Sequence, residues 1–260
     1  GLVPTMGALH EGHASLMRAA RRDCGFVVAT LFVNPTQFAP GEDFNHYPRT
    51  LERDLDLLRA EGVSAVFVPE VAEMHPRDAA TVVHVSGLTD GLCGPLRPGH
   101  FDGVATIVAK LLNALPADAA YFGEKDYQQL QVVRRLARDL NMPIDIVGCP
   151  TVREPDGLAL SSRNAYLSPA DRAQAVCLSA ALFEAQRRIA EGERDSAAIV
   201  EGIRERILAA GPAVIQYVEI VDPRTLRPVN RIQGEVRIIL AVLIGNCRLI
   251  DNVAATAPGA

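Results

Sequence analysis

The chain has 260 residues, 26 Lys and Arg against 31 Asp and Glu, 48% hydrophobic and 22% charged residues, and a mean hydropathy of +0.11. These values exclude a disordered tail and predict a folded chain near the size limit of one core, either a large α/β domain or one with a smaller companion. A net charge of −5 without any cluster of Lys and Arg excludes a charge-driven nucleic-acid partner.

The longest unbroken apolar stretch, 238–244, falls far short of the ~20 residues that span a bilayer, so no membrane partner is expected. Five cysteines at 24, 93, 149, 177 and 247 never form a C-x-x-C pair. They read as reduced thiols of a cytoplasmic protein and argue against structural zinc.

Residues 1–7 have neither the charged start nor the long apolar middle of a secretory signal, and they read as a strand already under way. Short β-branched and aromatic runs at 26–33, 65–68, 81–85, 119–122 and 144–147 then alternate with helical periods near 13–23, 49–61, 103–115 and 126–140. A run such as 26–33 is apolar on both faces and needs helices above and below it. The alternation predicts a doubly wound parallel α/β sheet. Ser168-Pro169, an N-cap followed by proline at the first helical position, opens a helix to about Ala190, and a second helix runs from about Ser196 to Ala210. Strands at 215–221, 236–244 and 248–250 complete a smaller α+β domain, which divides the chain into 1–165 and 166–260. The Ala-rich end, 254–260, is expected to fray. Segment 87–103 carries glycines at 87, 91, 94, 99 and 103 and prolines at 95 and 98, a loop long enough to suggest function.

Three motifs carry chemistry. Pro4-Thr5-Met6-Gly7-Ala8-Leu9-His10-Glu11-Gly12-His13 follows a strand and opens a helix, a context that offers free backbone N–H groups to an anion. His10 and His13 would share one side of the first turn; a metal pair or two surface histidines are the alternatives. Phe122-Gly123-Glu124-Lys125-Asp126-Tyr127-Gln128-Gln129 is again a strand end, a glycine and a helix start, where Lys125 can meet phosphate and Asp126 a ribose; a solvated charge pair is the alternative. Leu160-Ser161-Ser162-Arg163-Asn164, after Arg153-Glu154-Pro155-Asp156-Gly157, offers two hydroxyls and a bidentate cation to a triphosphate, or serves only as a helix cap.

Together these motifs resemble the H-x-G-H nucleotidyltransferases. The wording of PTMGALHEGH, FVNPTQF, RPGHFDGV, FGEKDYQQL and REPDGLALSSRN, in order from Leu2 to about Asn252, is similar to the pantothenate synthetase family in particular. Leu160 stands where that family usually has methionine, a swap that keeps volume. The resemblance implies a Rossmann-like first domain and a ligase of coenzyme A biosynthesis. Pantoate and ATP would give pantoyl adenylate and pyrophosphate, and β-alanine would then release AMP and form pantothenate. It implies catalytic roles for His10, His13, Lys125 and Arg163. ATP would be bound by Met6, Gly7, His10, His13, Gly123, Lys125, Asp126, Val152, Leu160, Ser161, Ser162 and Arg163, with Mg²⁺ accompanying the triphosphate. Pantoate would lie against Gln37, Gln129, Met6 and Phe38, and β-alanine against Gln37 and Asn34. It leaves the magnesium ligands unassigned, Asp54 being only a candidate. The loop 40–44 and the C-terminal domain are the expected covers, and a homodimer through the first domain is the expected assembly.

Two other classes share some of these residues. An adenylyltransferase acting on a phosphorylated alcohol would want cations at Gln37 and Gln129, and a histidine–metal hydrolase would hold zinc. A non-catalytic binding module would leave three phosphate-directed motifs idle.

Overall fold

The computed structural model describes residues 1–39 and 41–259; Pro40, which opens the expected covering loop, and Ala260 lie outside the described residues. The chain divides into two compact units, Gly1–Val152 and Arg153–Ala260.

The first unit holds strands β1 (Leu2–Thr5), β2 (Val28–Leu31), β3 (Ala65–Phe67), β4 (Ala119–Gly123) and β5 (Asp145–Cys149) in the order β3-β2-β1-β4-β5. Every pairing is parallel. Its helices are α1 (Glu11–Asp23), α2 (Leu51–Ala60), the single turn α3 (Val71–Met74), α4 (His100–Ala114) and α5 (Tyr127–Asp139). Val3, Ala29, Leu31 and Tyr121 from the strands pack with Met17, Ala20 and Leu58 from α1 and α2. Burial on both faces explains why the central strands β1, β2 and β4 are mostly apolar.

One expected strand does not form. Residues 81–85 have no regular structure and join no ladder. Val83 instead donates its N–H to Thr106 Oγ1 of α4 at 2.9 Å, and Val82 stays exposed. A helix side chain has taken the place of a neighbouring strand. The glycine-rich stretch that follows is folded into turns up to Gly99, where α4 begins, and it is tied by one side chain. Gln128 Oε1 accepts from Cys93 N–H at 3.0 Å, while Nε2 donates to the Leu88 and Gly91 carbonyls at 2.9 and 3.0 Å. Three bonds to a buried carboxamide satisfy backbone groups that have no regular structure to pair with.

The second unit is an antiparallel sheet, β6 (Val214–Val221), β7 (Glu235–Ile244) and β8 (Cys247–Thr256), with α6 (Pro169–Ala190) and α7 (Ser196–Ala209). Ala175, Leu178, Leu182, Ala185 and Ile189 recur at three- and four-residue steps on α6 and meet Ile199, Ile203 and Ile207 of α7 in a core shared with Ile220, Ile238 and Leu240. The chain end does not fray as expected. Strand β8 pairs with β7 as far as Thr256, opposite Glu235, and Ala257 N–H reaches the Gly234 carbonyl at 2.9 Å. Ala255 in the strand and Ala257 just beyond it are buried in the second core.

Residues 153–165, placed with the first domain in the sequence-based division, pack with the second unit. Arg153 donates to both Asp251 oxygens at 2.6 and 2.9 Å, and its guanidinium lies 4.9 Å from the Phe183 ring centre. Leu158 is part of the second core.

Gly103 on α4 packs directly against the turn that follows β2. A Cβ there would stand 2.3 Å from the Thr36 carbonyl oxygen, inside the 3-10 turn Pro35–Gln37. Gly103→Ala is expected to force α4 from that turn and to lower stability by about 1–3 kcal/mol, the usual cost of overpacking, as measured by denaturant unfolding. An unchanged midpoint would mean that the turn yields freely.

Candidate active site

In the order β3-β2-β1-β4-β5 the connections run to opposite sides between β1 and β4, which opens a crevice beyond their carboxyl ends. The segments leaving β1, β2 and β4, including the first turn of α1, carry His10 and His13, Asn34 to Phe38, and Lys125 and Asp126.

Leaving β1, the backbone turns through two successive left-handed residues, Gly7 (φ +79°) and Ala8 (φ +50°). For alanine this conformation is costly and needs outside support. Asp54, buried on α2, provides it: Oδ2 accepts from Ala8 N–H at 3.0 Å and Oδ1 from Leu9 N–H at 2.8 Å and from Thr50 Oγ at 3.1 Å. Gly7 N–H goes to Thr5 Oγ1. The amides expected to be free for an anion are therefore used within the loop, and the magnesium candidate Asp54 is occupied as its clamp.

The two histidines are fixed by the next backbone amides. Gly12 N–H donates to His10 Nδ1 at 3.1 Å, and His10 N–H donates to His13 Nδ1 at 3.3 Å, a reciprocal cap on α1. Each Nδ1 accepts, so in a neutral ring the proton sits on Nε2. The rings lie 4.1 Å apart, centre to centre. Burial lowers both proton affinities first, and Lys125 lowers them further while Asp126 opposes; His13 is pushed down to about 3, with His10 adding to the effect. Near neutral pH this is a pair of uncharged imidazoles with two Nε2–H donors, close to Lys125 and Asp126, whose Nζ and Oδ2 are 3.8 Å apart.

After β2, Asn34 caps the 3-10 turn, and Gln37 ends it with Nε2 3.0 Å from Met6 Sδ. Phe38 packs edge-on against Phe44 and Tyr47 at 5.4 and 5.9 Å. Asn34 is buried, and both of its polar atoms are engaged within the protein, so it stands behind Gln37. Arg97 and His100, both in the RPGHFDGV motif, hold this turn from the other side. Arg97 forks onto Glu42 at 2.5 and 2.6 Å, and both residues reach the Gln37 carbonyl, at 3.2 and 2.7 Å. His100 Nδ1 must carry the proton to meet that carbonyl. Burial, then Arg97, lowers its proton affinity to about 4.

Gly123 ends β4, and Gln129 lies half-buried in the first turn of α5, next to the loop-tying Gln128. Val152 is the last residue of the first unit, half-buried. Leu160, Ser161, Ser162 and Arg163 belong to the second unit, where Ser161 caps the turn Ser162–Tyr166 by accepting Arg163 N–H at 3.2 Å. The cap reading of this motif holds for Ser161. The structure gathers Met6, His10, His13, Gln37, Lys125 and Asp126 into the first unit's crevice, and the Ser-Ser-Arg loop is a feature of the second. Asp54 and His75, whose ring reaches Asn34, lie outside the motifs, and Gln128 lies within one that gave it no role of its own. Only a demand for partners by the left-handed turn and the glycine loop would have pointed to Asp54 and Gln128.

Among the described residues no group of three or more His, Cys, Asp or Glu is arranged to hold a metal ion. No helix is long and apolar enough to cross a membrane.

An open parallel sheet whose reversal point presents neutral imidazole donors, a lysine and a carboxamide is the frame of a nucleotide-handling α/β enzyme. Residues 1–254 match the Pantoate-beta-alanine ligase family, and a pantothenate synthetase of Moorella thermoacetica is 55% identical over 253 residues, 97% of this chain and 89% of that protein. Another from Enterococcus faecalis is 54% identical over 252 residues, again 97% and 89%. The crystal structure of a Thermus thermophilus pantothenate synthetase is similar with a TM-score of 0.94 at 50% identity, covering 97% of this chain and 91% of that one. A Francisella tularensis pantoate-beta-alanine ligase, complexed with beta-gamma ATP and beta-alanine, gives 0.81 at 35% identity, covering 97% and 88%. The chain belongs to the pantoate–β-alanine ligase family.

The depressed histidines set a pH dependence. In the unfolded chain each ring protonates near 6.5; in the fold it stays neutral down to about 3 for His13 and about 4 for His100. Between those values the unfolded state binds more protons, so their contribution is complete above pH 6.5 and is lost as pH falls. Denaturant midpoints are expected to hold level above pH 7 and to fall from 6.5 toward 4.5, by up to about 1.4 kcal/mol per pH unit for each ring. His13→Leu should flatten that slope; an equal slope would show that His13 protonates normally in the fold.

Proposed function

We propose that this chain joins pantoate to β-alanine at the expense of ATP, through a pantoyl adenylate. The observation that carries the reading is the uncharged His10–His13 pair, its Nε2–H donors set beside Lys125 in the crevice that also holds Gln37. In the first step the pantoate carboxylate attacks the α-phosphorus and pyrophosphate leaves. A carboxylate with a pKa near ~4 needs no base at neutral pH. It needs donors for the negative charge that gathers on the phosphate oxygens, and neutral imidazoles supply these without proton exchange. Lys125 adds full charge, and the family resemblance gives Ser161, Ser162 and Arg163 a phosphate-directed role as well. Mg²⁺, when bound with the triphosphate, would neutralise charge on the phosphate oxygens. Gly123 and Asp126 serve the ribose, and Val152 and Leu160 the adenine.

In the second step the β-alanine amine attacks the acyl carbon, AMP leaves, and the amide of pantothenate forms. Gln37 and Gln129 hydrogen-bond the pantoate hydroxyls and carboxylate, Met6 and Phe38 pack on its methyls, and Asn34 acts on β-alanine and pantoate through Gln37. Carboxamides serve here because they donate and accept without burying a second charge.

The test is pantoate-dependent exchange of labelled pyrophosphate into ATP without β-alanine. Exchange is expected; ADP and an acyl phosphate would refute the adenylate. Gln129→Leu should cost about 2–4 kcal/mol in kcat/KM for pantoate and leave the ATP dependence nearly unchanged. Weakened ATP use with an intact pantoate dependence would reassign Gln129. The same reading includes a homodimer through the first unit, for which sedimentation should give twice the chain's 27.9 kDa; a monomer alone would remove it.

A further inference from the structure

Asn34 and Gln37 are carboxamides whose donor and acceptor ends are fixed by their neighbours. The Gly103 carbonyl can only accept, so the Asn34 atom 3.2 Å from it is Nδ2. Thr36 N–H can only donate, and it faces Oδ1 at 3.4 Å, which gives the same orientation. Oδ1 also accepts from Thr36 Oγ1 at 2.9 Å and lies 2.8 Å from His75 Nε2. That nitrogen must therefore carry a hydrogen. The second hydrogen of Asn34 Nδ2 points to Gln37 Oε1 at 3.1 Å. With its carbonyl end occupied, Gln37 turns its NH₂ toward Met6 Sδ and the crevice.

His75 is set for this contact by elements outside the crevice. Its own N–H closes α3 onto the Val71 carbonyl at 2.8 Å, Lys110 holds the preceding Met74 carbonyl, and its ring lies 6.0 Å from that of Phe32. It makes the shortest of the contacts to Asn34 Oδ1 and comes from a segment that otherwise has no part in the site.

We propose that His75 is a positioning residue for substrate selection: its Nε2–H locks Asn34, and Asn34 holds Gln37 with its amide NH₂, not its carbonyl, facing the oxygen atoms of the acid substrate. The pocket then reads hydrogen-bond acceptors, a carboxylate or hydroxyl oxygen, at that point. This rests on the reading that Gln37 meets pantoate.

Steady-state kinetics of the full chain with ATP, pantoate and β-alanine separate the possibilities. His75→Phe keeps an aromatic ring against Phe32 and removes the donor; His75→Gln keeps an amide donor near the place of Nε2. His75→Phe is expected to raise KM for pantoate about five- to tenfold, the worth of one neutral hydrogen bond, with kcat and KM for ATP within about twofold. His75→Gln should return KM for pantoate to within about threefold of the parent. A role confined to folding would lower kcat through the active fraction and leave KM values alone. The inference is overturned if Gln37→Leu raises KM for pantoate while His75→Phe does not, or if His75→Phe raises KM for ATP equally. If Gln37→Leu itself leaves the pantoate KM unchanged, the reading of Gln37 falls, and the role of His75 falls with it.

Discussion

A buried carboxylate accepting two successive backbone N–H groups holds the turn on which the first unit's chemistry depends. Strand β1 must hand over to α1 within five residues, and the handover runs through Gly7 and Ala8, both left-handed. Nothing local stabilises Ala8 there. Asp54, 46 residues away in sequence, does so from α2, and the helix entry, the reciprocal histidine cap and the direction of both Nε2–H groups follow from it. The same clamp consumes the amides that a strand–loop–helix turn usually offers to an anion, so donation passes from backbone to side chain.

Neutrality matters as much as geometry in this crevice. A charged imidazole would bind an anionic ground state strongly, whereas preorganised neutral donors gain most where charge accumulates. Burial keeps His10 and His13 uncharged, and the lysine beside them works in the same direction. His100 shows the same economy: its neutral ring donates from Nδ1 to a carbonyl and meets Arg97 through Nε2. Full charge is then confined to groups such as Lys125 and the Arg97–Glu42 fork.

Periodicity and capping rules read the regular elements closely: the start at Ser168-Pro169 and the paired helices of the second unit stand where expected. Residues 81–85 have the composition of a strand but lie along α4, because composition reports affinity for an apolar surface and not which surface is available. The Ala-rich end reads as frayed because alanine carries little burial signal, yet β7 is long enough to pair with it. The motif-bearing residues of the first unit, His10, His13, Gln37, Lys125 and Asp126, were legible because local chain context carries them. Asp54, His75 and the Arg97–His100 grip on Gln37 were not, since each acts across about 40 to 60 residues of chain on a backbone group or an amide, and no local pattern encodes that.

Gln128 and Gln129 are the same letter twice, and the fold gives them opposite tolerance to change. Adjacent positions on a helix point about 100° apart, so one faces the glycine-rich loop and the other does not. At 128 the side chain must donate twice and accept once. A glutamate there would set a carboxylate against the Leu88 and Gly91 carbonyls, and a leucine would remove all three bonds to the loop backbone. At 129 the fold itself demands little. Sequence drift in this pair is therefore filtered by foldedness at the first position, and at the second, under the proposed function, by chemistry. A library randomised across both would separate them, with losses of soluble protein clustering at 128 and losses of turnover in well-folded protein clustering at 129.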